Sequence, residues 1–186
     1  SLPGDRTHQI KIFGAKDFSV TKWMNINLGL TFRSRSGEPS SYLGGHLLYG
    51  DDQAFILQRG TGERLPWVHG FDSHVGFAFR LSKESELSVG IDVFNLFNFQ
   101  AETRRDETYT RAAVLPIIDE KGKSGTTKDL PTRDAEGNFQ CDPATCKLKY
   151  SETGGTFDPV DINPNYGNPL AFQSPRQFRF SAKVSF

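Results

Sequence analysis

The sequence has no long apolar run, and this absence excludes one large class of membrane protein. Its 186 residues are 36% hydrophobic, and no stretch approaches the roughly 18 to 20 uninterrupted apolar residues that a membrane-spanning helix needs. Strands of an outer-membrane β-barrel need only about 9 to 11 residues and hide half of their side chains in a polar interior. The negative mean hydropathy therefore excludes a helical membrane protein but is compatible with insertion through strands.

An excess of either charge is also missing. The 22 Lys and Arg residues balance the 22 Asp and Glu residues, so the formal net charge is zero. Nucleic-acid-binding domains usually carry a basic excess, and we expect no nucleic-acid partner here. No Ser/His/Asp, Cys/His or paired-carboxylate arrangement has catalytic spacing, and the four histidines lack the spacing of a metal-ligand set. We therefore expect neither an enzyme nor a bound metal or cofactor.

Cysteine is scarce, with Cys141 and Cys146 as its two occurrences. A zinc site would need a second pair of ligands, so a local disulfide is the favoured interpretation. Two unpaired thiols are the alternative. Closing so short a loop would stabilise it by about 2 kcal/mol and would indicate an oxidising compartment, such as the periplasm or the cell exterior.

What the sequence does contain is strict alternation of apolar and polar residues, which is typical of strands with one apolar side. Five stretches alternate, and the predicted strands are about 8–18, 24–35, 71–81, 86–98 and 176–186. The last is the most regular, with an apolar face made of Phe178, Phe180, Ala182, Val184 and Phe186.

The charges of these five stretches separate by face. The apolar faces carry one charge, Lys16, near a predicted strand end. Because Arg or Lys facing lipid costs about 2 to 4 kcal/mol near the bilayer midplane, this partition predicts a lipid side and a water-filled side. Phe13 and Phe94 break the pattern, since they lie on the polar side. The residues that we expect to face a lumen are Arg33, Asp72, His74, Arg80, Asp92, Arg179 and Lys183.

Connection lengths alternate as well. The joins at about 19–23 and 82–85 are tight, whereas those at about 36–70 and 99–175 are long. Outer-membrane barrels have short periplasmic turns and longer extracellular loops. The prediction is therefore an all-β fold, an antiparallel up-and-down transmembrane β-barrel segment with a periplasmic C-terminus and two long extracellular loops. The segment is incomplete, because five strands cannot close a barrel.

Three phrases carry a resemblance to a known family. The stretch Asp92-Val-Phe-Asn-Leu-Phe-Asn98 resembles the penultimate strand of TonB-dependent outer-membrane receptors. Asn165-Tyr-Gly-Asn-Pro169 and Gln173-Ser-Pro-Arg-Gln-Phe-Arg-Phe180, followed by the terminal Phe186, are similar to the Oar-like branch, whose members carry a carboxypeptidase-regulatory-like module before the plug.

This resemblance implies a 22-stranded barrel in a Gram-negative outer membrane, with an N-terminal plug and a TonB box. The sequence contains neither of these and begins at Ser1 without a signal peptide, so we expect a fragment of a longer receptor that binds and translocates a ligand. The implied partners are outer-membrane lipid, the TonB system through the missing N-terminal part, and the barrel-assembly machinery, which would read Phe178 to Phe186. The ligand and its binding residues cannot be carried over.

Two other interpretations stay open. A secreted or periplasmic β-sandwich that binds carbohydrate or protein would show the same alternation, because its sheets are also buried on one side. A plugless porin would share the barrel and lack the energy coupling.

Overall fold

The computed structural model describes residues 4–133, 138–142 and 144–186. These residues form an all-β structure in which helix is limited to two 3-10 turns, Thr127–Asp129 and Pro159–Asp161. Within them, no helix has the length and apolar character needed to cross a membrane. The strands are β1 (Gln9–Thr21), β2 (Met24–Arg35), β3 (Leu43–His46), β4 (Gly50–Phe55), β5 (Val68–Arg80), β6 (Glu86–Phe94), β7 (Glu102–Arg105), β8 (Thr108–Ala113), β9 (Thr132–Arg133), β10 (Phe139–Gln140), β11 (Pro169–Phe172) and β12 (Gln177–Ser185).

The chain divides into two compact units, which we call the sheet unit and the core unit. The sheet unit comprises Arg6–Ser36, Pro66–Glu102 and Phe172–Phe186. The core unit comprises Gly37–Leu65 and Thr103–Ala171, with the described residues that precede Arg6.

The sheet unit is one antiparallel sheet with the strand order β1-β2-β5-β6-β12. Its hairpin turns are tight. Between β5 and β6, the Ser82 hydroxyl accepts hydrogen bonds from the backbone N–H groups of Glu84 and Ser85, at 3.2 and 3.1 Å. Such a turn fixes the register of the two strands. No sheet closes on itself within the described residues.

One predicted strand, 86–98, is too long, because β6 ends at Phe94. Asn95 and Asn98 both have positive φ, 52° and 53°, a conformation that asparagine tolerates better than most residues. The Asn98 N–H donates to the Asn95 carbonyl at 2.8 Å, and the Asn95 side-chain amide donates to the Phe99 and Ser174 carbonyls at 2.9 Å each. The Asn-Leu-Phe-Asn phrase is therefore a turn that leaves the sheet.

The first strand is longer than predicted. β1 continues to Thr21, so Lys16 lies further from its end than the sequence interpretation assumed. Its Nζ atom lies 5.2 Å from the centroid of the Phe18 ring. The Lys16 amino group therefore lies beside an aromatic ring two residues nearer that end, in a cation–π contact.

The core unit is built from the segments predicted as long loops, and the prediction missed it. Strands β4, β3 and β8 form a small sheet in which β3 and β8 are parallel, unlike the antiparallel sheet unit. A hydrophobic core lies in this unit, made of Ile56, Leu57, Tyr109, Val114, Ile117, Leu130, Cys146, Leu148, Phe157 and Ile162. The two segments are therefore more than connections between the strands of the sheet unit.

The disulfide prediction is confirmed. Cys141 and Cys146 are bonded, with their Cα atoms 5.1 Å apart. The Cys146 end is buried in the core, and Cys141 packs against it. The bond therefore ties the 141–146 segment to the interior of the core unit.

Candidate functional site

The seven polar residues singled out in the sequence lie on one face of the five-stranded sheet, which we call the polar face. Directly opposite residues of paired strands share a face, and the register places His74 opposite Asp92 and Asp92 opposite Arg179. The other members follow from the same register: Arg33 in β2, Asp72 and Arg80 in β5, and Lys183 in β12.

Asp92 lies at the centre of a network that joins three strands. His74 Nδ1 is 2.7 Å from Asp92 Oδ1, and Arg179 Nε donates to Asp92 Oδ2 at 2.9 Å. An ionised carboxylate only accepts hydrogen bonds, so the Nδ1 atom of His74 carries a proton. In neutral His74 the Nε2 atom is then an acceptor.

Asp72 forms a second network on the same face. Its Oδ2 atom accepts a hydrogen bond from Arg33 Nη2 at 2.5 Å, and its Oδ1 atom accepts one from the Asn95 backbone N–H at 2.9 Å. The carboxylate therefore neutralises one arginine and also fixes the turn that ends β6. Arg80 lies opposite Glu86. Within the described residues, it forms no ion pair.

A trough of about 620 Å³ lies in the polar face beside the Asp92 network. Gly76 and Gly90 lie opposite each other in it. A Cβ atom on Gly76 would come within 2.9 Å of His74 Nε2, so the absence of a side chain makes room for the imidazole ring. The polar side chains along the trough are Asp17, Ser19, Asn25, Asn27, His74, Glu86, Ser88, Ser181 and Lys183.

This combination of groups is suited to binding. The trough mixes amide, hydroxyl, carboxylate, imidazole and ammonium groups, which together donate and accept hydrogen bonds. Across the described part of the chain, no group of three or more His, Cys, Asp or Glu side chains could hold a metal ion. Recognition of a polar molecule is the chemistry that the arrangement offers.

Several trough residues are not among the seven singled out in the sequence, although alternation places them on the polar face. Asp17 accepts a hydrogen bond from Asn27 Nδ2 at 2.5 Å, and Ser181 lies opposite Gly90. Alternation assigns these residues to the polar face but does not show which strands are neighbours. The register supplies that information.

The residues predicted as a C-terminal assembly signal lie on the opposite, apolar face of β12. The register pairs Phe178, Phe180, Ala182 and Val184 with Val93, Ile91, Val89 and Leu87 of β6. Phe186 follows the strand and is exposed. The geometry places these aromatic side chains at the surface of the sheet unit.

Comparison with known proteins gives one curated relative. The chain is 42% identical over 185 residues to the TonB-dependent transporter Oar of Myxococcus xanthus, a match that covers the whole chain and 16% of that transporter. No protein-family model matches the chain, and no solved structure matches it. The chain thus spans about a sixth of the length of its relative. Along its whole length, it matches a partial segment of an Oar-like TonB-dependent receptor.

Proposed function

We propose that this chain is the C-terminal β-barrel part of a TonB-dependent receptor of a Gram-negative outer membrane. The full-length protein binds a ligand and translocates it across that membrane, and the chain has no enzymatic activity. The single observation that carries this proposal is the exposed apolar face of the five-stranded sheet. The match to an Oar-like transporter supports the energy-coupled form of the proposal over a plugless porin.

The apolar face has the character of a lipid-facing surface. Ile12 is 61% exposed and Phe180 is 78% exposed. Their neighbours along the strands are polar and lie on the opposite face. Contiguous apolar patches of this kind mark a surface that meets another apolar medium. Within the described sheet this face carries one charged residue, Lys16, whose amino group lies beside the Phe18 ring.

The same observation favours a membrane over a β-sandwich. In a sandwich the inner faces of two sheets interdigitate, so their apolar side chains are buried. Here Phe180, Ile12 and Leu30 remain half exposed or more. Hydrocarbon from a bilayer would cover them, and the polar face would line the lumen.

The remaining assignments follow from that orientation. The tight turns at Lys22–Trp23 and Leu81–Ser85 lie in the periplasm together with the C-terminus, and the core unit belongs to the extracellular mouth. The barrel-assembly machinery reads the aromatic end of β12, and the TonB system acts through the part of the receptor outside this chain. The seven polar residues from Arg33 to Lys183 contribute to the lumen wall.

Spin labels on neighbouring residues of β2 test the proposal. Leu28→Cys and Asn27→Cys place a label at almost the same depth on opposite faces of the sheet. In the full-length protein in lipid nanodiscs, we expect the label at 28 to collide with lipid-soluble oxygen and the label at 27 with a water-soluble nickel chelate. Equal access of the chelate to both positions would show that the apolar face meets water, and the membrane assignment would fail.

A further inference from the structure

Phe13 is an aromatic residue on the polar face that the proposed function does not explain. Its side chain is 83% exposed, and the register places it opposite Thr31, on the face of Lys11 and Asp17. It therefore contributes neither to the lipid-facing surface nor to the core.

Three cations lie on the same face as this ring, all on the same side of it along the strands. Lys11 precedes Phe13 by two residues and lies directly opposite Arg33, and Arg35 is the next residue of β2 on that face. Like charges directly opposite each other in a sheet destabilise it. Asp72 offsets the charge of Arg33, whereas Lys11 and Arg35 add two further positive charges on this face, which a bound anion would balance.

The protein supplies little counter-charge here. Asp72 is already paired with Arg33 at 2.5 Å. Asp17 is on the same face but is hydrogen-bonded by Asn27 further along the strands. In the part of the chain that the structure describes, Lys11 and Arg35 form no ion pair.

The backbone leaves access to the cations. Gly70 lies opposite Arg33 in β5, and a Cβ atom added to it would meet nothing within 4 Å. The position opposite Arg33 in β5 therefore carries no side chain and borders open space, although Asp72 of the same strand accepts one N–H of the guanidinium. A guanidinium presents a planar fork of N–H donors that matches carboxylate and phosphate oxygens.

We propose that Lys11, Phe13, Arg33 and Arg35, which we call the basic-aromatic patch, bind a small anionic ligand that carries an aromatic ring. The three cations hold its carboxylate or phosphate group, and the Phe13 ring packs against its apolar part. That the patch faces a lumen rests on the proposed function, whereas its affinity for such an anion does not.

Ligand titration with two probes tests this site in the full-length protein in nanodiscs of zwitterionic lipid. The probes are phenyl phosphate and inorganic phosphate, and the dissociation constants come from NMR titrations at low ionic strength. For Lys11→Gln with Arg35→Gln we expect binding of both probes to weaken by about tenfold, since exposed charge interactions contribute up to about fivefold each. The matched control, Lys22→Gln with Lys83→Gln, removes the same charge from two turns and should bind like the wild type.

Phe13→Ala separates the aromatic contact from the charge. Because an aromatic pair contributes about threefold to tenfold in affinity, phenyl phosphate should weaken by that factor while inorganic phosphate binds as before. Equal binding of phenyl phosphate by the Lys11/Arg35 variant and its control would overturn the anion site. Loss of both probes in Phe13→Ala, or of neither, would overturn the role given to the ring. The spin-label experiment on β2 reports the membrane assignment separately, so one proposal can fail without the other.

Discussion

The core unit buries its large apolar side chains, whereas the sheet unit exposes many of its own. In the core unit, Leu148 and Phe157 are 0% and 1% exposed, and eight other buried residues pack with them. In the sheet unit, large apolar side chains such as Phe180 and Ile12 lie at the surface. One part of the chain has an interior of its own, and the other presents its apolar residues outward.

This difference shows where each unit obtains its stability. Side chains removed from water contribute about 25 cal/mol per Å² of apolar area, and the core unit collects this contribution from contacts within itself. The sheet unit has strand hydrogen bonds and the Asp92 and Asp72 networks, but its apolar face gains only when another apolar medium covers it. The hydrophobic fraction of 36%, an average over the whole chain, does not show this difference between the two units.

The largest effect is expected from truncating the core. Phe157→Ala removes a ring that is fully buried and lies 5.4 Å from the Tyr150 ring. Large-to-small changes of this kind cost about 3 to 5 kcal/mol. Hydrogen exchange of core-unit amides in the full-length protein should show that the free energy of opening falls by that amount.

Val160→Ala is the matched control, since Val160 is close in sequence and exposed. Its effect should stay within about 0.5 kcal/mol. Equal effects of the two changes would contradict the description of the core unit as having a packed interior.

A charge on the outward apolar face tests the other half of the comparison. Leu28→Arg places a cation on the face that we assign to lipid, whereas Asn25→Arg places one on the polar face of the same strand. The first should cost about 2 to 4 kcal/mol in a bilayer, and the second should cost little. Urea unfolding in lipid vesicles measures both, and a similar small effect of the two changes would argue that no hydrocarbon contacts Leu28.

The contrast between the units also explains what the sequence could predict. A strand with one polar and one apolar side shows a period of two. The five strands of the sheet unit, each nine residues or longer, do so apart from positions such as Phe13 and Phe94. The core unit has no sustained period, because its buried residues come from short segments as distant as Ile56 and Ile162. Their packing depends on long-range contacts that no local pattern reveals.

The candidate site divides in the same way. Alternation placed His74, Asp92 and Arg179 on one face. The tight turn at 82–85 then brings β5, with His74, and β6, with Asp92, together in register. Arg179 is 87 positions from Asp92, so their contact requires knowledge that β12 pairs with β6. The end of β6 was also missed, since the turn there depends on the positive φ of Asn95 rather than on hydrophobicity.

The disulfide should have an intermediate effect that is confined to the core unit. Replacing Cys141 by Ser and Cys146 by Ala opens a loop with a sequence separation of 5, and the chain-entropy model gives a loss of about 2 kcal/mol. Hydrogen exchange should speed up around the 141–146 segment and leave the strands of the sheet unit unchanged. Adding dithiothreitol to the wild type should reproduce this change and have no effect on the double variant.

The smallest effect concerns the acid sensitivity of the core unit. Lys147 Nζ, 2.6 Å from Asp129 Oδ1, together with hydrogen bonds from Thr126, holds the pKa of Asp129 below its ordinary value. A carboxyl group whose pKa is lower in the folded state stabilises the protein above its unfolded pKa of about 4, and this contribution disappears as the pH falls through the folded pKa. Because Lys147 is largely exposed, we expect a contribution below about 1 kcal/mol.

Asp129→Asn keeps an oxygen that can accept from the Thr126 N–H but removes the titrating charge. The difference in unfolding free energy between wild type and variant, measured by hydrogen exchange of core-unit amides, should therefore be largest near pH 6 and shrink as the pH is lowered below about 4. Lys147→Met should remove most of the same pH dependence, since the Lys147 ammonium is the principal cause of the lowered pKa. A difference that stays constant between about pH 6 and pH 3 would mean that Asp129 acts through its hydrogen bonds alone. The acid sensitivity of the core unit would then originate in other carboxylates.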